Sequence, residues 1–266
     1  MRAIAAALLA IFALAAPAAP AMAAGVPAYR IPVCGTSWVP EDDGHGDYFN
    51  VYNSQAGSTC IGVSGWHDLA WSVTSTTDVA QQWQSPNISS GWEWGRYTCD
   101  DGLSASPASP GSQCMRYPVQ ARADGKPWTT VTYWRAPADG DVAWDIWFNK
   151  TDSHPDQDDG TEIMIRLADR NVSTAITRHV RISGREWGVE NWTAERNGVT
   201  WNYVAYIAPE NVGHASLWLN AFFADAERHG LLEPSWWLTS IDFLAEMNDG
   251  TGKGFTVSGY ALTGVS

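Results

Sequence analysis

Hydrophobic and polar residues alternate along most of the chain in short runs that are typical of β-strands. The runs are rich in β-branched and aromatic residues, and Gly, Pro, Asn, Asp and Ser separate them. The predicted strands are YFNVYN, CIGVSGW, LAWSVTS, WTTVTYWRA, DVAWDIWFN, TEIMIRL, HVRISG, EWGVENWTAE, TWNYVAYIA, SWWLTSIDFLAE and GFTVSGYAL. Because no helix-length pattern separates most of these runs, we expect an all-β sandwich of two antiparallel sheets rather than a βαβ fold.

One segment has a helical pattern instead. In HASLWLNAFFADAERHGLL, residues 214–232, apolar residues recur at helical spacing before the glycine stop at Gly230. These residues are Leu217, Leu219, Phe222, Phe223 and Ala226. The sequence therefore predicts a single amphipathic helix in an otherwise β protein, with no composition break that would indicate a second domain.

Three predicted strands carry a carboxylate on a face that should not be buried in the core. Glu162 alternates with Ile163, and it shares its face with Met164 and Arg166. Asp145 lies in VAWDIWF, and Glu246 ends a strand that runs into a glycine-rich turn. Hydrolysis of a glycosidic bond needs two carboxyl groups that flank it. A lone carboxylate on a strand is more often an exposed or salt-bridged side chain, so the hypothesis depends on the three residues together.

The N-terminus indicates export. Met1-Arg2 precedes an apolar run that ends in the small-residue pattern Ala21-Met22-Ala23, which is typical of a secretory signal peptide. We expect residues 1–23 to be removed and residues 24–266 to form one secreted domain. No other segment approaches the roughly 18 apolar residues that a membrane-spanning helix needs.

Four cysteines agree with an exported protein. Their sequence allows three disulfide pairings. We favour Cys34 with Cys60 and Cys99 with Cys114, because pairing neighbours closes the shorter loops. Neither the cysteines nor the histidines have the spacing of a metal site, and we expect no metal and no cofactor. The segment 152–160 is rich in oxygen ligands, but a solvated acidic loop explains it better than a calcium site does.

The net charge of −13 argues against nucleic acid or an anionic membrane as partner, because both are polyanions. The 16 Trp among 266 residues suggest a neutral partner instead. An indole has a flat apolar face with an N–H at its edge, and such faces stack on pyranose rings. Many of these residues will pack in the core, and Trp66, Trp92, Trp94 or Trp147 could line a cleft.

The spacing of the three acids resembles that of glycoside hydrolase family 12, the small secreted β-jelly-roll endoglucanases and xyloglucanases. The family has a Glu-x-Met-Ile-Trp motif, and this chain has Glu162-Ile163-Met164-Ile165-Arg166. Asp145 lies 17 residues before Glu162 in an aromatic strand, and Glu246 lies 84 residues after it. The YFNVYN segment between two cysteines and the Pro-Asn-Ile segment at 86–88 are also similar, so the resemblance covers most of the mature chain.

This resemblance implies a concanavalin-like β-jelly roll with one α-helix on the convex side, acting as a monomer without a cofactor. It implies a retaining endo-β-1,4-glucanase that hydrolyses internal bonds of cellulose-type polysaccharides. Glu162 would be the nucleophile, Glu246 the general acid/base and Asp145 the partner that tunes Glu162. Met164, Arg166, Trp147 and Asn53 would contact the β-glucan.

The chain departs from the family pattern where sugars would stack. Arg166 replaces the last Trp of the nucleophile motif, and Ala56 stands where a stacking indole is expected. After Glu246 the chain has Met247-Asn248 in place of Pro-Phe. The alternative function is therefore a β-glucan-binding relative that no longer hydrolyses. The three acids at matched spacing favour the enzyme, because a binding module has no use for paired glutamates.

Overall fold

The structure is a computed structural model. It describes residues 31–34, 36–42, 48–54, 60–64, 70–75, 86–93, 96–97, 119–120, 125–152, 159–172, 175–247 and 254–265. Side chains are described for residues 72, 86–91, 126–152, 159–172, 175–247 and 254–264. The predicted signal peptide, Cys99 and Cys114 lie outside the described residues, and only the backbone of Cys34, Cys60 and Asn53 is described.

Within the described residues almost every element is a strand. The N-terminal strands are β1 (Ile31–Cys34), β2 (Thr36–Asp42), β3 (Tyr48–Ser54), β4 (Cys60–Ser64), β5 (Ala70–Ser75), β6 (Asn87–Glu93), β7 (Arg96–Tyr97) and β8 (Val119–Gln120). The next strands are β9 (Gly125–Trp134), β10 (Gly140–Asn149), β11 (Thr161–Arg170), β12 (Arg178–Ile182), β13 (Arg185–Arg196), β14 (Val199–Ile207) and β15 (His214–Trp218). The helix α1 (Asn220–Arg228) follows, and then β16 (Trp237–Met247) and β17 (Thr256–Val265).

The strands form two sheets, as the alternation predicts. The smaller sheet has the order β1-β4-β5-β17-β9-β15, and the larger has the order β12-β13-β14-β11-β10-β16-β6-β3-β2. Two short strands extend the larger sheet, since β7 pairs with β6 and β8 pairs with β16. The described pairs are antiparallel except β11 and β14, which are parallel. The expected all-β sandwich is confirmed.

The hydrophobic core lies between the two sheets. The central strands of the larger sheet each turn one apolar row inward, including Trp144, Ile163 and Phe243, which are fully buried. The smaller sheet contributes Val131 and Leu262, which are also fully buried. Removing apolar side chains of this size from water stabilises the fold by about 1.5–3 kcal/mol each, so the sandwich depends on this alternation.

Helix α1 covers the same inner face of the larger sheet. Phe222 packs edge-to-face on Trp187 and Tyr206, with ring centroids 5.2 and 5.1 Å apart, and Phe223 packs on Phe148 at 4.9 Å. The helix therefore lies on the core side of the larger sheet and leaves the opposite face open.

The predicted helix was too long at its N-terminal end. Residues 214–218 form β15, the edge strand of the smaller sheet, which pairs with β9. Ala215 and Leu217 point into the core while the residues between them are exposed, so the apolar residues of this part follow a strand period. In this part of the chain both periods fit the pattern, and pairing with β9 decided between them. No helix in the described residues is long and apolar enough to cross a membrane.

Candidate active site

The candidate site lies on the face of the larger sheet that points away from the core. Residues that alternate with the buried apolar row must project from this opposite face. Neighbouring strands β11, β10 and β16 carry Glu162, Asp145 and Glu246 there, in that lateral order. The structure thus brings the three predicted acids to one face, over three adjacent strands.

Glu162 is a partly exposed carboxylate held in a defined orientation. Trp201 on β14 donates its indole Nε1–H to Oε2 of Glu162 at 2.7 Å. Because β14 runs parallel beside β11, Tyr203 is the register partner of Glu162 and Trp201 lies next to it. A donor at this distance orients the carboxylate and stabilises its negative charge, as a nucleophile requires.

Asp145 lies beside Glu162 on β10. In the register Trp147 is opposite Glu162 and Asp145 is opposite Met164, so the two acids are diagonal neighbours on one face. Asp145 is 8% exposed, and Trp147 donates its indole N–H to Oδ2 of Asp145 at 3.2 Å. The indoles of Trp147 and Trp201 pack at a centroid distance of 5.6 Å. Two indoles therefore orient two neighbouring carboxylates.

Arg166 lies in a buried cluster of acids and not at the surface. Its guanidinium contacts Asp141 at 2.8 Å, Glu190 at 2.9 Å and Asp169 at 3.0 Å, and it donates to the Tyr203 hydroxyl at 2.6 Å. The side chain is 3% exposed. Burial alone would lower its pKa, but the surrounding Asp141, Tyr203 and acidic groups raise the pKa of Arg166 above its ordinary value. Arg166 remains charged and holds this cluster together.

Glu246 joins the same cluster from the other side of β10. It is the register partner of Asp141, so the two side chains are neighbours on one face of the sheet. Burial, and then the charge of Glu246, raise the pKa of Asp141 well above its usual range, although Arg166 opposes this.

A glycine fixes the position of this pair. Gly140 begins β10 with φ of +133°, and a Cβ there would collide with the carbonyl oxygen of Glu246. Only glycine fits this backbone conformation and this approach of β16. Asp141 is consequently held opposite Glu246.

Glu162 and Glu246 lie on strands to either side of β10, and their register partners are far apart along β10. Glu162 is opposite Trp147 and Glu246 is opposite Asp141, so their rows are six residues apart. At about 3.3 Å per residue this is about 20 Å along the strand. Burial raises the pKa of the Tyr203 phenol most; Arg166 opposes this, and the charges of Glu162, Asp141 and Glu246 each raise the pKa further.

Three residues predicted to contact the substrate, Trp147, Met164 and Arg166, are too deeply buried to touch a sugar directly. Trp147 and Met164 are each 2% exposed, and Met164 accepts a hydrogen bond from the Tyr203 hydroxyl at 3.1 Å. Arg166, expected to take the position of the family's stacking indole, is buried under the surface as described above. These three side chains shape the floor of the site, because their surfaces are already covered by protein. The side chain of Asn53 lies outside the described part of the chain.

Trp192 and Trp201 are the aromatic residues of the site that the sequence did not single out. Trp192 on β13 is 42% exposed and stacks on Tyr203 with a centroid distance of 3.9 Å and an interplanar angle of 23°. It presents an indole face to solvent on the same side of the sheet as Glu162. The alternation in TWNYVAYIA places Trp201 and Tyr203 on one face, but sequence alone does not tell which face is open.

Comparison with protein-family models identifies the family of this chain. The model of glycosyl hydrolase family 12 matches residues 129–263, which includes all three candidate acids. The chain belongs to glycosyl hydrolase family 12. The protein is therefore a glycoside hydrolase, and a polysaccharide is its class of substrate.

Solved structures of family 12 enzymes share the fold. A metagenome-derived family 12 endoglucanase is 24% identical, with a TM-score of 0.69 over 88% of this chain and 96% of the other. An endoglucanase from Rhodothermus marinus is 23% identical, with a TM-score of 0.68 over 88% and 98%. A family 12 xyloglucanase from Bacillus licheniformis is 20% identical, with a TM-score of 0.67 over 88% and 100%. No curated protein sequence matches the chain significantly. The identities are low, so this family 12 chain is divergent.

Proposed function

We propose that the protein is a secreted endo-β-1,4-glucanase that retains anomeric configuration, with Glu162 as nucleophile and Glu246 as general acid/base. Glu162 attacks the anomeric carbon while Glu246 protonates the departing glycosidic oxygen. Glu246 then takes a proton from water, whose oxygen attacks the anomeric carbon; the bond to Glu162 breaks, which releases the sugar and regenerates the free carboxylate. The predicted signal peptide at residues 1–23 supports secretion, and the enzyme requires no cofactor for this chemistry.

The environment of Glu162 carries the proposal. A nucleophilic carboxylate must be ionised, oriented and reachable, and Glu162 is partly exposed and accepts the Trp201 N–H at 2.7 Å. Asp145 beside it adds a second negative charge or a shared proton, through which Glu162 can be tuned. Trp192, exposed on the same face, offers a surface on which a glucose ring can stack.

The position of Glu246 is the part of the proposal that the strand register does not support. Retention needs the two carboxyl groups about 5–5.5 Å apart, whereas the rows of Glu162 and Glu246 are six residues apart on β10. The strand register therefore does not place Glu246 within reacting distance of Glu162, and the acid role proposed for Glu246 rests on the matched spacing of the three acids in the sequence. If Glu246 does not serve as the acid, Asp145 is the neighbouring carboxyl group that remains.

The test is hydrolysis of carboxymethyl cellulose, mixed-linkage glucan and xyloglucan by the wild type, E162Q, E246Q and D145N, with reducing ends as the readout. We expect the wild type to cleave at least one polymer internally. We expect E162Q and E246Q each to lose at least about 10³-fold in kcat, since general acid–base catalysis alone contributes about 10²–10⁴-fold. Added azide should restore turnover to E162G with inverted product.

The outcomes separate the alternatives. Full activity in E246Q with loss in D145N would move the acid role to Asp145. Binding of all three polymers without release of reducing ends by the wild type would replace the enzyme by a non-hydrolytic β-glucan-binding protein. Exposed Glu233, changed to Gln, is the matched control for loss of one carboxylate and should leave kcat unchanged.

A further inference from the structure

A second group of indoles is exposed on the opposite side of the molecule. Trp128 and Trp134 on β9 and Trp218 on β15 are 47%, 41% and 46% exposed. They project from the outer face of the smaller sheet, whereas the alternating residues Thr129, Val131 and Tyr133 are buried beneath them. We name this surface, with the hydroxyl groups between the indoles, the indole face.

The indole face has a regular layout that the strand register defines. Trp218 is opposite Trp128, so these two side chains are cross-strand neighbours on one face. Trp134 lies six residues further along β9, about 20 Å away. Aromatic side chains thus mark the two ends of an extended, flat strip of sheet.

The residues between the indoles are uncharged and hydroxylated. Thr130 and Ser216 share a hydrogen bond at 3.2 Å, and Thr132 bonds His214 at 2.7 Å. On β17 the same rows contain Gly259 and Ala261. Over these rows, the described parts of β9, β15 and β17 contribute no Asp, Glu, Lys or Arg. These rows therefore form a neutral strip on the surface of a protein whose net charge is −13.

We propose that the indole face is a second polysaccharide-binding site, which holds a β-glucan chain along β9 away from the catalytic face. Each indole stacks on the apolar face of a pyranose ring, and the Thr and Ser hydroxyl groups bond sugar hydroxyl groups between them. A strip of about 20 Å suits several rings of a linear neutral polymer. The inference rests on the proposed function only for the choice of polymer.

The chemistry of the face favours a polysaccharide over other occupants. The centres of protein interfaces are also rich in aromatic residues and poor in charge, but they are contiguous and desolvated, whereas here exposed hydroxyl groups separate the Trp128–Trp218 pair from Trp134. An anionic membrane would be repelled by the acidic chain. Trp128 and Trp218 are adjacent and exposed, and contiguous exposed apolar surface marks interaction sites and ligand-binding grooves.

The experiment measures binding separately from hydrolysis. Depletion of the full chain carrying E162Q by swollen insoluble cellulose gives the affinity without turnover. We expect W128A/W218A in that background to weaken binding about tenfold, from loss of two stacking contacts. W128Y/W218Y should retain most of the binding, because it keeps the aromatic faces. Ile176→Ala removes a similarly exposed apolar residue, 49% exposed, outside this face and should bind normally.

Hydrolysis of a soluble substrate and self-association of the protein provide two further tests of the second binding site. With Glu162 intact, W128A/W218A should hydrolyse a short soluble cello-oligosaccharide at the wild-type rate. Such an oligosaccharide is too short to contact the catalytic face and the indole face at the same time. Unchanged binding of W128A/W218A, or equal loss in W128Y/W218Y, would overturn the proposal. So would conversion of a dimer to a monomer by W128A/W218A in sedimentation, because the face would then be an interface between copies. An inactive wild type with Trp-dependent binding would refute the proposed function and leave this site intact.

Discussion

At the scale of single residues, Arg166 has a different role from the Trp that ends the family's nucleophile motif. The motif that resembles the family nucleophile strand ends in Arg instead of Trp, and the sequence suggested a changed sugar platform. In the structure the guanidinium contacts Asp141, Asp169 and Glu190. A planar group with several N–H donors can bind several acids at once, which an indole cannot. Arg166 therefore positions the residues around Glu246 through Asp141.

Replacing Arg166 by Trp, the residue of the family motif, should consequently destabilise the fold. In R166W the buried acids lose their counter-charge and the indole needs more space, so we expect a loss of about 3–5 kcal/mol in the free energy of unfolding. Urea denaturation followed by tryptophan fluorescence measures it. Arg170, exposed on the same strand, provides the matched control R170W, which should change stability by less than about 0.5 kcal/mol. Equal stability of R166W and the wild type would contradict this role of Arg166.

At the scale of secondary structure, Asp225 ties helix α1 to the sheet. Its carboxylate is buried, and it accepts hydrogen bonds from Arg178 of edge strand β12 at 2.5 Å, Arg228 at 2.9 Å and Tyr206 at 3.0 Å. Burial by itself would raise the pKa of Asp225, but the hydrogen bonds and charges outweigh it and the pKa is lowered. The helix is thus joined to two strands of the larger sheet by one charged group.

The lowered pKa of Asp225 predicts the pH dependence of stability. A carboxyl group with a lower pKa in the folded state stabilises the fold above its unfolded pKa of about 3.9. That contribution is lost as the pH falls through the folded value. We expect D225N to be less stable than the wild type by about 2 kcal/mol at pH 7, with the difference shrinking below about pH 4.

Urea denaturation of both proteins between pH 7 and pH 3 measures this difference. Glu233→Gln removes an exposed carboxylate and serves as the control for loss of one acidic side chain. A D225N deficit that stays constant from pH 7 to pH 3 would show that Asp225 acts by shape and not by charge.

At the scale of the whole molecule, the smaller sheet begins with an arrangement that suits a covalent link. β1 pairs antiparallel with β4, and Cys34 is directly opposite Cys60. Opposed Cα atoms in antiparallel strands are about 4.5–5.5 Å apart, within the range that a disulfide bridges. The register supports the pairing that the sequence favoured on loop length. Cys99 and Cys114 lie beyond the described residues, so their pairing stays a prediction.

We expect a Cys34–Cys60 disulfide in the folded protein. Peptide mass mapping without reduction should give the crosslinked pair, and C34S/C60S should lower the free energy of unfolding by about 3 kcal/mol. Full alkylation of both thiols before reduction would exclude the link. C99S/C114S is the comparison that reports whether the second predicted disulfide contributes independently.

The sequence by itself determined the fold class and the chemistry-bearing strands. Alternation with period two separates Ile163 from Glu162 and Trp144 from Asp145, because successive side chains in a strand point to opposite faces. Alternation was sufficient to predict a sandwich and one helix, and the spacing that resembles family 12 predicted that the three acids belong to one site. It failed at residues 214–218, where a short apolar pattern fits both a helix and a strand.

Only the tertiary structure decided which strands are neighbours and in which register. Asp141, Trp192 and Trp201 reach the site through the pairing of β16 with β10, of β14 with β11 and of β13 with β14. These pairings join residues far apart in the chain. Alternation assigns a side chain to a face without stating its partner across the sheet. For that reason the burial of Arg166, the offset between Glu162 and Glu246, and the exposed Trp128 and Trp218 pair are properties of the folded chain.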